Sequence, residues 1–210
     1  MCIKKVIGYT INIKNRVIIL KGETMLRKVT IEKAKEIYKK YIKQDFATNE
    51  IKPYFLFKKY LIKEIDKMYL YEEENKEKGY MICSEENQYV LISHLAVLEN
   101  YRGTGVGTKL IQTIQEQFPD KKGWIVEVET EKEAKNENEK EKIQKRIHFY
   151  EKLGFCSYKE ISYQLFGKFY YIFVLYKIGE KKLTNTQLVE LIQKIYQKKK
   201  MPKKFLKIEI

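Results

Sequence analysis

Cysteine and histidine are scarce in this chain, which has three cysteines and two histidines among 210 residues. Cys2, Cys83 and Cys156 are odd in number and widely spaced, so they predict neither a disulfide framework nor a Cys-x-x-Cys metal site. His94 and His148 do not cluster with them, and we expect no metal. We expect Cys83 and Cys156 to be core thiols, with a cysteine nucleophile beside one histidine as the less favoured alternative.

Long apolar runs are also missing. No run approaches the roughly 20 residues that a membrane-spanning helix requires. The block Val17–Leu20 is too short to be the apolar region of a secretory signal, and no small-residue cleavage site follows it. The sequence therefore predicts a cytoplasmic protein with no membrane partner.

Positive charge is abundant, but it lies mostly at the two ends of the chain. The formal net charge is +14, and residues 177–210 alone hold ten lysines and three glutamates. Residues 1–24 hold five lysines or arginines and one glutamate, which leaves the centre nearly balanced. This distribution favours solvated basic ends over a dedicated nucleic-acid surface, which we keep as the less favoured alternative. The abundance of Lys, Ile, Tyr and Asn is typical of an AT-rich genome, and we expect a bacterial source.

The most informative stretch is a glycine-spaced basic turn between an apolar run and an amphipathic helix. Glycines at 103, 105 and 107 follow Arg102, and Lys109 lies just beyond them. Glycine lets a ligand approach the backbone closely. Successive N–H groups and the positive end of the helix dipole can then converge on an anion, to which the two basic side chains add mobile positive charge. The turn therefore predicts a pyrophosphate site.

Two motifs carry a resemblance to a known family. Arg102, Gly105 and Gly107 fit the pattern Arg/Gln-x-x-Gly-x-Gly/Ala, and the segment 146–155 resembles a downstream "FYEKLGF" helix that ends at Gly154. At these residues the chain resembles the GNAT superfamily of N-acetyltransferases, over about residues 25–178. The resemblance implies the GNAT acyl-CoA N-acyltransferase fold, an α+β or α/β fold with a mixed, mostly antiparallel sheet flanked by helices.

The resemblance also implies a site for acetyl-CoA as co-substrate. The pantetheine arm would pair with the main chain of one strand, and the pyrophosphate would sit on the turn. Tyr150 would protonate the leaving thiolate, although it fits a core aromatic at helical spacing equally well. The residues implied for acetyl-CoA are Leu95, Ala96, Val97, Arg102, Gly103, Thr104, Gly105, Val106, Gly107 and Thr108.

The general base is harder to locate from the sequence. On the strand 124–129, alternation places Glu127 and Glu129 on one face, opposite Val126 and Val128. Glu127 lies deeper and is our first choice for a carboxylate that relays the proton of the attacking amine, with the opposing possibility that this face is solvent-exposed. Glu129, His94 and a chain of waters stay open as alternatives, and we expect His148 to lie outside the site.

Three regions are predicted along the chain. Residues 1–24 form an extension whose translation is in question, because 21–23 could be encoded by a purine-rich ribosome-binding site just before a start at Met25. Residues 25–178 form the N-acetyltransferase domain, and 179–210 form a helix capped by Thr184 and a solvated basic tail. The elements predicted between these ends are a strand at 26–30, a helix after Thr30, a helix after Pro53, strands at 68–72, 79–84 and 88–97, a helix at 104–117, a strand at 124–129, a mobile loop at 130–142, a helix at 139–153, and strands at 158–166 and 169–178.

The expected function is transfer of the acetyl group of acetyl-CoA to a primary amine by direct attack. The acceptor would be a small molecule or a protein amine, and the protein a monomer or homodimer. An RNA-directed protein or a non-catalytic acyl-CoA-binding module of the same fold are the alternatives. Several aromatic residues could line an acceptor pocket or belong to the core, namely Tyr54, Phe55, Tyr69, Tyr71 and 163–166.

Overall fold

The computed structural model describes residues 10–13, 16–19, 24–46 and 51–210. Strands β1 (Thr10–Ile13) and β2 (Arg16–Ile19) pair as an antiparallel hairpin. The predicted extension 1–24 otherwise lies largely outside the described residues.

The other described elements follow the predicted order of strands and helices. The helices are α1 (Ile31–Ile37), which continues as a π-helical stretch (Tyr38–Ile42) into α2 (Lys43–Asp45), then α3 (Tyr54–Ile62), α4 (Val106–Gln117), α5 (Glu137–Lys152) and α6 (Asn185–Lys198). The strands are β3 (Thr24–Lys28), β4 (Lys67–Glu73), β5 (Lys76–Glu86), β6 (Tyr89–Val97), β7 (Gly123–Glu129), β8 (Cys156–Ser157), β9 (Ser162–Leu165), β10 (Lys168–Tyr176) and β11 (Leu206–Glu209).

Strands β3–β11 form one mixed sheet. Its order is β11-β9-β10-β7-β6-β5-β4-β3, with β8 paired to β10. The pairings are antiparallel apart from β6 with β7, which are parallel and connected through α4. The expectation of a mixed, mostly antiparallel sheet flanked by helices is confirmed.

Strands β6 and β7 pair over only part of their length. Their parallel register runs from Tyr89 opposite Gly123 to Ile92 opposite Val126 and then stops. At the same point the register between β6 and β5 shifts, so that Ser93 is an extra residue on β6. A bulge of this kind bends its strand and increases the local twist. It therefore helps to separate the end of β6 from β7 and leaves an opening in the sheet where the two strand ends do not pair.

Helices cover both faces of the sheet because each presents an apolar stripe. Helices α4 and α5 pack on one face, whereas α1 and α3 pack on one half of the opposite face. Helix α6 covers the other half, through Leu188, Ile192 and Ile195. The predicted caps are confirmed, since Thr30 accepts from the Lys33 N–H and Thr184 forms a capping box with Gln187.

Most element boundaries differ from the sequence prediction by a few residues, and three of the differences have a clear local cause. Helix α4 begins at Val106 rather than residue 104, because Gly105 is in the left-handed conformation that precedes the first turn. Helix α5 begins at Glu137 because Asn136 caps it, so the predicted mobile loop is shorter than 130–142. The strand predicted at 158–166 is shortened to β9, because residues 158–161 form a turn after the two-residue strand β8.

The prediction of a solvated basic tail after α6 is wrong for Lys199, whereas Lys200, Lys203, Lys204 and Lys207 are exposed as predicted. The side chain of Lys199 is only 1% exposed and forms an ion pair with Asp66. Farther along, β11 pairs with β9 and extends the sheet at its edge. A helix that buries an apolar face brings its own end against the sheet, and Lys199, directly after α6, is buried with it.

Candidate active site

The glycine turn projects into solvent immediately before α4. Gly103 and Gly105 have φ values of 77° and 83°, which an L side chain rarely adopts, and a Cβ at either position would meet no atom within 4 Å. At Gly107, by contrast, a Cβ would lie 3.2 Å from Phe149 Cζ, so this glycine permits contact between α4 and α5. The N–H groups of Val106 and Thr108 lie in the first turn, where helical acceptors are lacking.

The basic side chains of the turn are held in place. The Nε of Arg102 donates to Val97 O at 3.0 Å and its Nη2 contacts Asp45 Oδ1 at 2.5 Å, while the guanidinium side chain stays 53% exposed. Lys109 Nζ lies 2.5 Å from Glu73 Oε1, and Lys78 pairs with the same carboxylate. Arg102 and Lys109, predicted to add mobile positive charge, thus each contact a carboxylate on a neighbouring element while about half of each side chain stays exposed.

The main chain of β6 is available along the opening beside β7. Directly after β6, Leu98 N donates to Lys78 O of β5, so Leu98 and Lys78 are a hydrogen-bonded pair of the antiparallel ladder. Hydrogen-bonded and non-hydrogen-bonded pairs alternate along an antiparallel ladder, so the main-chain groups of Ala96 face β5. Those of Leu95 and Val97 face away from β5 and into the opening. The contact of Arg102 with Val97 O agrees with this direction. Leu95 and Val97 are thus the residues that could pair with an extended ligand.

Tyr150 is buried on the face of the sheet that α4 and α5 cover. Its ring packs 5.0 Å from Phe155 and 6.3 Å from Phe173, between ring centroids. Burial raises the pKa of Tyr150 to about 12, against a small opposing effect of Arg146. The phenol therefore keeps its proton at neutral pH and is suited to donate a hydrogen bond, but it is also a core aromatic, as its spacing allowed.

Glu127 points to the opposite face of the sheet, as alternation along β7 predicts. Tyr163 Oη donates to its Oε1, and Tyr196 Oη lies 2.9 Å from both carboxylate oxygens. Burial raises the pKa of Glu127, while the hydrogen bonds from Tyr163 and Tyr196 oppose the rise. This face is therefore partly covered around Glu127 rather than fully open to solvent. A carboxylate with a raised pKa is suited to accept a proton near neutral pH.

This chain is similar to known proteins both in its sequence pattern and in its fold. The acetyltransferase (GNAT) domain profile matches residues 64–157, which span the opening and the glycine turn. A GNAT-family protein of Bacteroides thetaiotaomicron has the same fold, with a TM-score of 0.65 and 17% identity over 81% of this chain and 94% of that one. This chain contains a GNAT acetyltransferase domain. The resemblance found from the two motifs is thereby confirmed.

Two further proteins that are similar to this chain have names that state an activity more specifically. N-alpha-acetyltransferase 30 of Schizosaccharomyces pombe is 33% identical over 86 residues, which are 40% of this chain and 51% of that protein. The chain thus spans about half the length of the curated relative it matches. Spermidine N-acetyltransferase of Vibrio cholerae, described as dodecameric, has a TM-score of 0.52 and 12% identity over 74% of this chain and 95% of that one.

The other predicted base candidates of the GNAT domain lie on the same face as Glu127. Glu129 pairs with Lys168, whose Nζ is 2.6 Å from Glu129 Oε1. The His94 ring packs edge-on against Phe46 at 4.6 Å, and its Nδ1 lies 3.2 Å from Ser93 Oγ. Ion pairing occupies Glu129, and an aromatic neighbour covers His94. Glu127 is the candidate whose described polar partners are both neutral phenols.

The aromatic residues predicted either to line an acceptor pocket or to belong to the core differ in burial. Tyr69 and Tyr71 belong to the core beneath α4, and Tyr54 packs against Tyr38, whereas Phe55 is 73% exposed. Of these aromatic candidates, Tyr163 contacts a candidate catalytic group.

The sulfur and histidine candidates do not form a second site. Cys83 is buried in the core, and burial raises the pKa of its thiol to about 12, which disfavours a nucleophilic role. Cys156 lies on the short two-residue strand β8 and is only partly buried. The prediction that it is a core thiol therefore holds in part. His148 is exposed on α5. Among the described residues no group of three or more His, Cys, Asp or Glu could hold a metal ion, and no helix is long and apolar enough to cross a membrane.

Two residues of the site were missed by sequence reasoning. Asp45 holds Arg102 from 57 positions away and has no local pattern that would identify it. Tyr196 does have a signal, because it follows Leu188 and Ile192 on the apolar stripe of α6 and precedes Lys199 on the same stripe. A lysine on an apolar stripe predicts a buried ion pair nearby, and here that partner is Asp66.

Proposed function

We propose that this protein is an acetyl-CoA-dependent N-acetyltransferase that acetylates a primary amine by direct attack. The observation that carries the proposal is the opening between β6 and β7 beside the glycine turn. The strands separate after Ile92 and Val126, and the turn follows the open end of β6 within a few residues. Anion-binding N–H groups and an unpaired strand edge therefore lie next to each other, which suits a ligand with a pyrophosphate and an extended amide-bearing arm.

The glycine turn and the strand edge would bind acetyl-CoA. The N–H groups at the start of α4 and the guanidinium of Arg102 would hold the pyrophosphate. The main-chain groups of Leu95 and Val97 would pair with the pantetheine arm. An N–H group of β6 would also stabilise the oxyanion that forms when the amine attacks the thioester.

Protons would move through residues on the two faces of the sheet. Glu127 would accept the proton that the attacking amine must lose, and its raised pKa favours this role. Tyr150 would donate a hydrogen bond to the departing sulfur from the other face. Because β7 separates the two side chains, they can act on one thioester only at the opening, where the sheet is not continuous.

The acceptor is proposed at the level of a primary amine. The names of the relatives direct the first screen to the α-amine of peptides and to polyamines. A bacterial source, a cytoplasmic location and a monomeric or homodimeric state stay predictions. The RNA-directed alternative is not favoured, since Lys199 is buried in an ion pair and β11 is part of the sheet.

Titration calorimetry with acetyl-CoA tests the proposal, with ATP as a control anion. We expect micromolar binding that is selective for acetyl-CoA, followed by thiol release when the correct amine is added. Equal binding of ATP would mean that the turn recognises phosphate alone. No binding of acetyl-CoA would refute the proposal, and binding without thiol release from any amine would leave a non-catalytic acyl-CoA-binding module.

A further inference from the structure

Helix α6 lies outside the matched domain of residues 64–157, yet it contributes directly to the surroundings of Glu127. Tyr196, in the last turn of α6, is buried, and its hydroxyl lies 2.9 Å from both Glu127 oxygens. A phenol that contacts both oxygens restricts the rotation of the carboxylate. The orientation of Glu127 therefore depends on the position of α6.

A buried ion pair fixes the end of α6. Lys199 Nζ lies 3.0 Å from Asp66 Oδ1, and both side chains are almost fully buried. Ser84 Oγ donates to the same Asp66 oxygen at 2.7 Å, and Tyr60 Oη donates to Lys199 O at 2.6 Å. These contacts tie the helix end to α3, to β5 and to the segment before β4. Tyr196 is three residues from Lys199 on the helix face and is held by the same contacts.

We propose that Tyr196 is a positioning residue for Glu127, so that α6 is a working part of the acetyl-transfer site. The proposal rests on the proposed function of Glu127 as the base. Helix α6 would hold the carboxylate in one orientation and stabilise its charged form. The hydroxyl of Tyr196 would act through Glu127 and would not react with the substrate itself.

The sign of the effect follows from the groups around Glu127. Burial disfavours the carboxylate, whereas the two phenol hydrogen bonds and the nearby lysine charges favour it. Removing the Tyr196 hydroxyl should therefore raise the pKa of Glu127 further. The titratable and charged groups around Glu127 include Tyr163 from β9, Tyr196 from α6, Lys199 after α6 with its partner Asp66 before β4, Lys52 before α3, Glu129 with its partner Lys168, and His94 from β6.

The test is a carbon-13 NMR titration of glutamate carboxyl groups, which requires no knowledge of the acceptor. The Glu127 signal is identified by its loss in Glu127→Gln. In Tyr196→Phe we expect its titration midpoint to rise by about one pH unit, since a hydrogen bond to a charged group is lost. Tyr158→Phe is the matched control, because Tyr158 packs in the same core and bonds Leu183 O at the other end of α6. In Tyr158→Phe the titration midpoint of Glu127 should equal that of the wild type.

Activity provides an independent reading once an amine acceptor is known. The acidic limb of the kcat/KM profile should move to higher pH in Tyr196→Phe by the same amount as the NMR midpoint, with the KM for acetyl-CoA unchanged. An unchanged midpoint and an unchanged limb would overturn the role of Tyr196, even where Glu127→Gln is inactive and the proposed function stands. Full activity of Glu127→Gln would overturn the base assignment and this inference together, while acetyl-CoA binding would still test the proposed function.

Discussion

The two sides of the candidate site are built in opposite ways. The proposed acetyl-CoA side is largely exposed and consists mainly of backbone groups, from the edge of β6 and from the consecutive residues Arg102 to Thr108. The proposed acceptor side around Glu127 is partly buried and consists of side chains, which come from β7, β9 and α6. A ligand that many enzymes share can be bound by main-chain groups, whereas selection and deprotonation of one amine need side chains in fixed positions. The changes below separate these two sides.

The largest effect is expected on the acceptor side, from Glu127→Gln. The amide keeps the shape of the side chain but cannot accept the proton of the amine. We expect kcat to fall about a thousandfold, within the range for loss of a general base, while the affinity for acetyl-CoA stays unchanged. Thiol release and titration calorimetry measure the two quantities.

Glu129→Gln is the matched control, since it makes the same substitution two residues along the same strand face. Glu129 is paired with Lys168, and we expect its loss to change kcat by less than about threefold. A larger loss in Glu129→Gln than in Glu127→Gln would transfer the role of base to Glu129.

The next effect concerns the stability of the acceptor side. Lys199→Met keeps the length and apolar contacts of the side chain but leaves the carboxylate of Asp66 buried without its closest cation. Removing one partner of a buried ion pair is strongly destabilising, and we expect a loss of about 3 kcal/mol in the free energy of unfolding. Urea denaturation measures it. The double variant Lys199→Met with Asp66→Asn should recover a large part of the lost stability. Failure to recover it would mean that the loss does not come from the unpaired carboxylate of Asp66.

The same ion pair predicts a pH dependence of stability. Burial alone would raise the pKa of Asp66, but Lys199, Lys52 and the Ser84 hydroxyl outweigh it and lower the pKa to about 2. Because the folded-state pKa lies below the ordinary value, the stabilisation is present at higher pH and is lost as the pH falls towards 2. In Lys199→Met the pKa of Asp66 is no longer lowered by its closest cation, so the stability lost between neutral pH and acid should be smaller than in the wild type. An identical acid transition in both proteins would contradict this account of Asp66.

On the acetyl-CoA side, Thr108→Glu should weaken binding without weakening the fold. The new carboxylate lies in the first turn of α4, where a helix favours negative charge, but it would face the pyrophosphate. Repulsion at this partly exposed position should reduce acetyl-CoA affinity about 100-fold. Calorimetry and thermal unfolding measure the two effects.

Thr186→Glu provides the control, because it makes the same change in the first turn of α6, far along the chain from the glycine turn. It should leave acetyl-CoA affinity unchanged and the melting temperature the same or slightly higher. Equal loss of affinity in both variants would mean that net charge, rather than the site, governs binding.

The contrast between the two sides also explains what could be predicted from the sequence. The glycine turn, the end of the Tyr150 helix at Gly154 and the alternation of Glu127 with Val126 are local patterns, and the structure shows all three geometries. The contacts of Arg102 with Asp45 and of Tyr196 with Glu127 join residues 57 and 69 positions apart. Such pairs are decided by how separate elements pack, so no local pattern contains them. The bulge at Ser93 likewise results from pairing with two different strands.

The smallest effect is expected from Tyr150→Phe, which lies between the two sides. Phenylalanine keeps the packing against Phe155 and Phe173, so the free energy of unfolding should change little. If the phenol donates a hydrogen bond to the departing sulfur, its loss should lower kcat about tenfold, the value of one hydrogen bond to a charged group. A leaving group of lower pKa needs less stabilisation, so an activated acetyl thioester should reduce the difference between the two proteins. An unchanged kcat with both thioesters would show that Tyr150 is a core aromatic alone, and that only the acceptor side supplies a catalytic side chain.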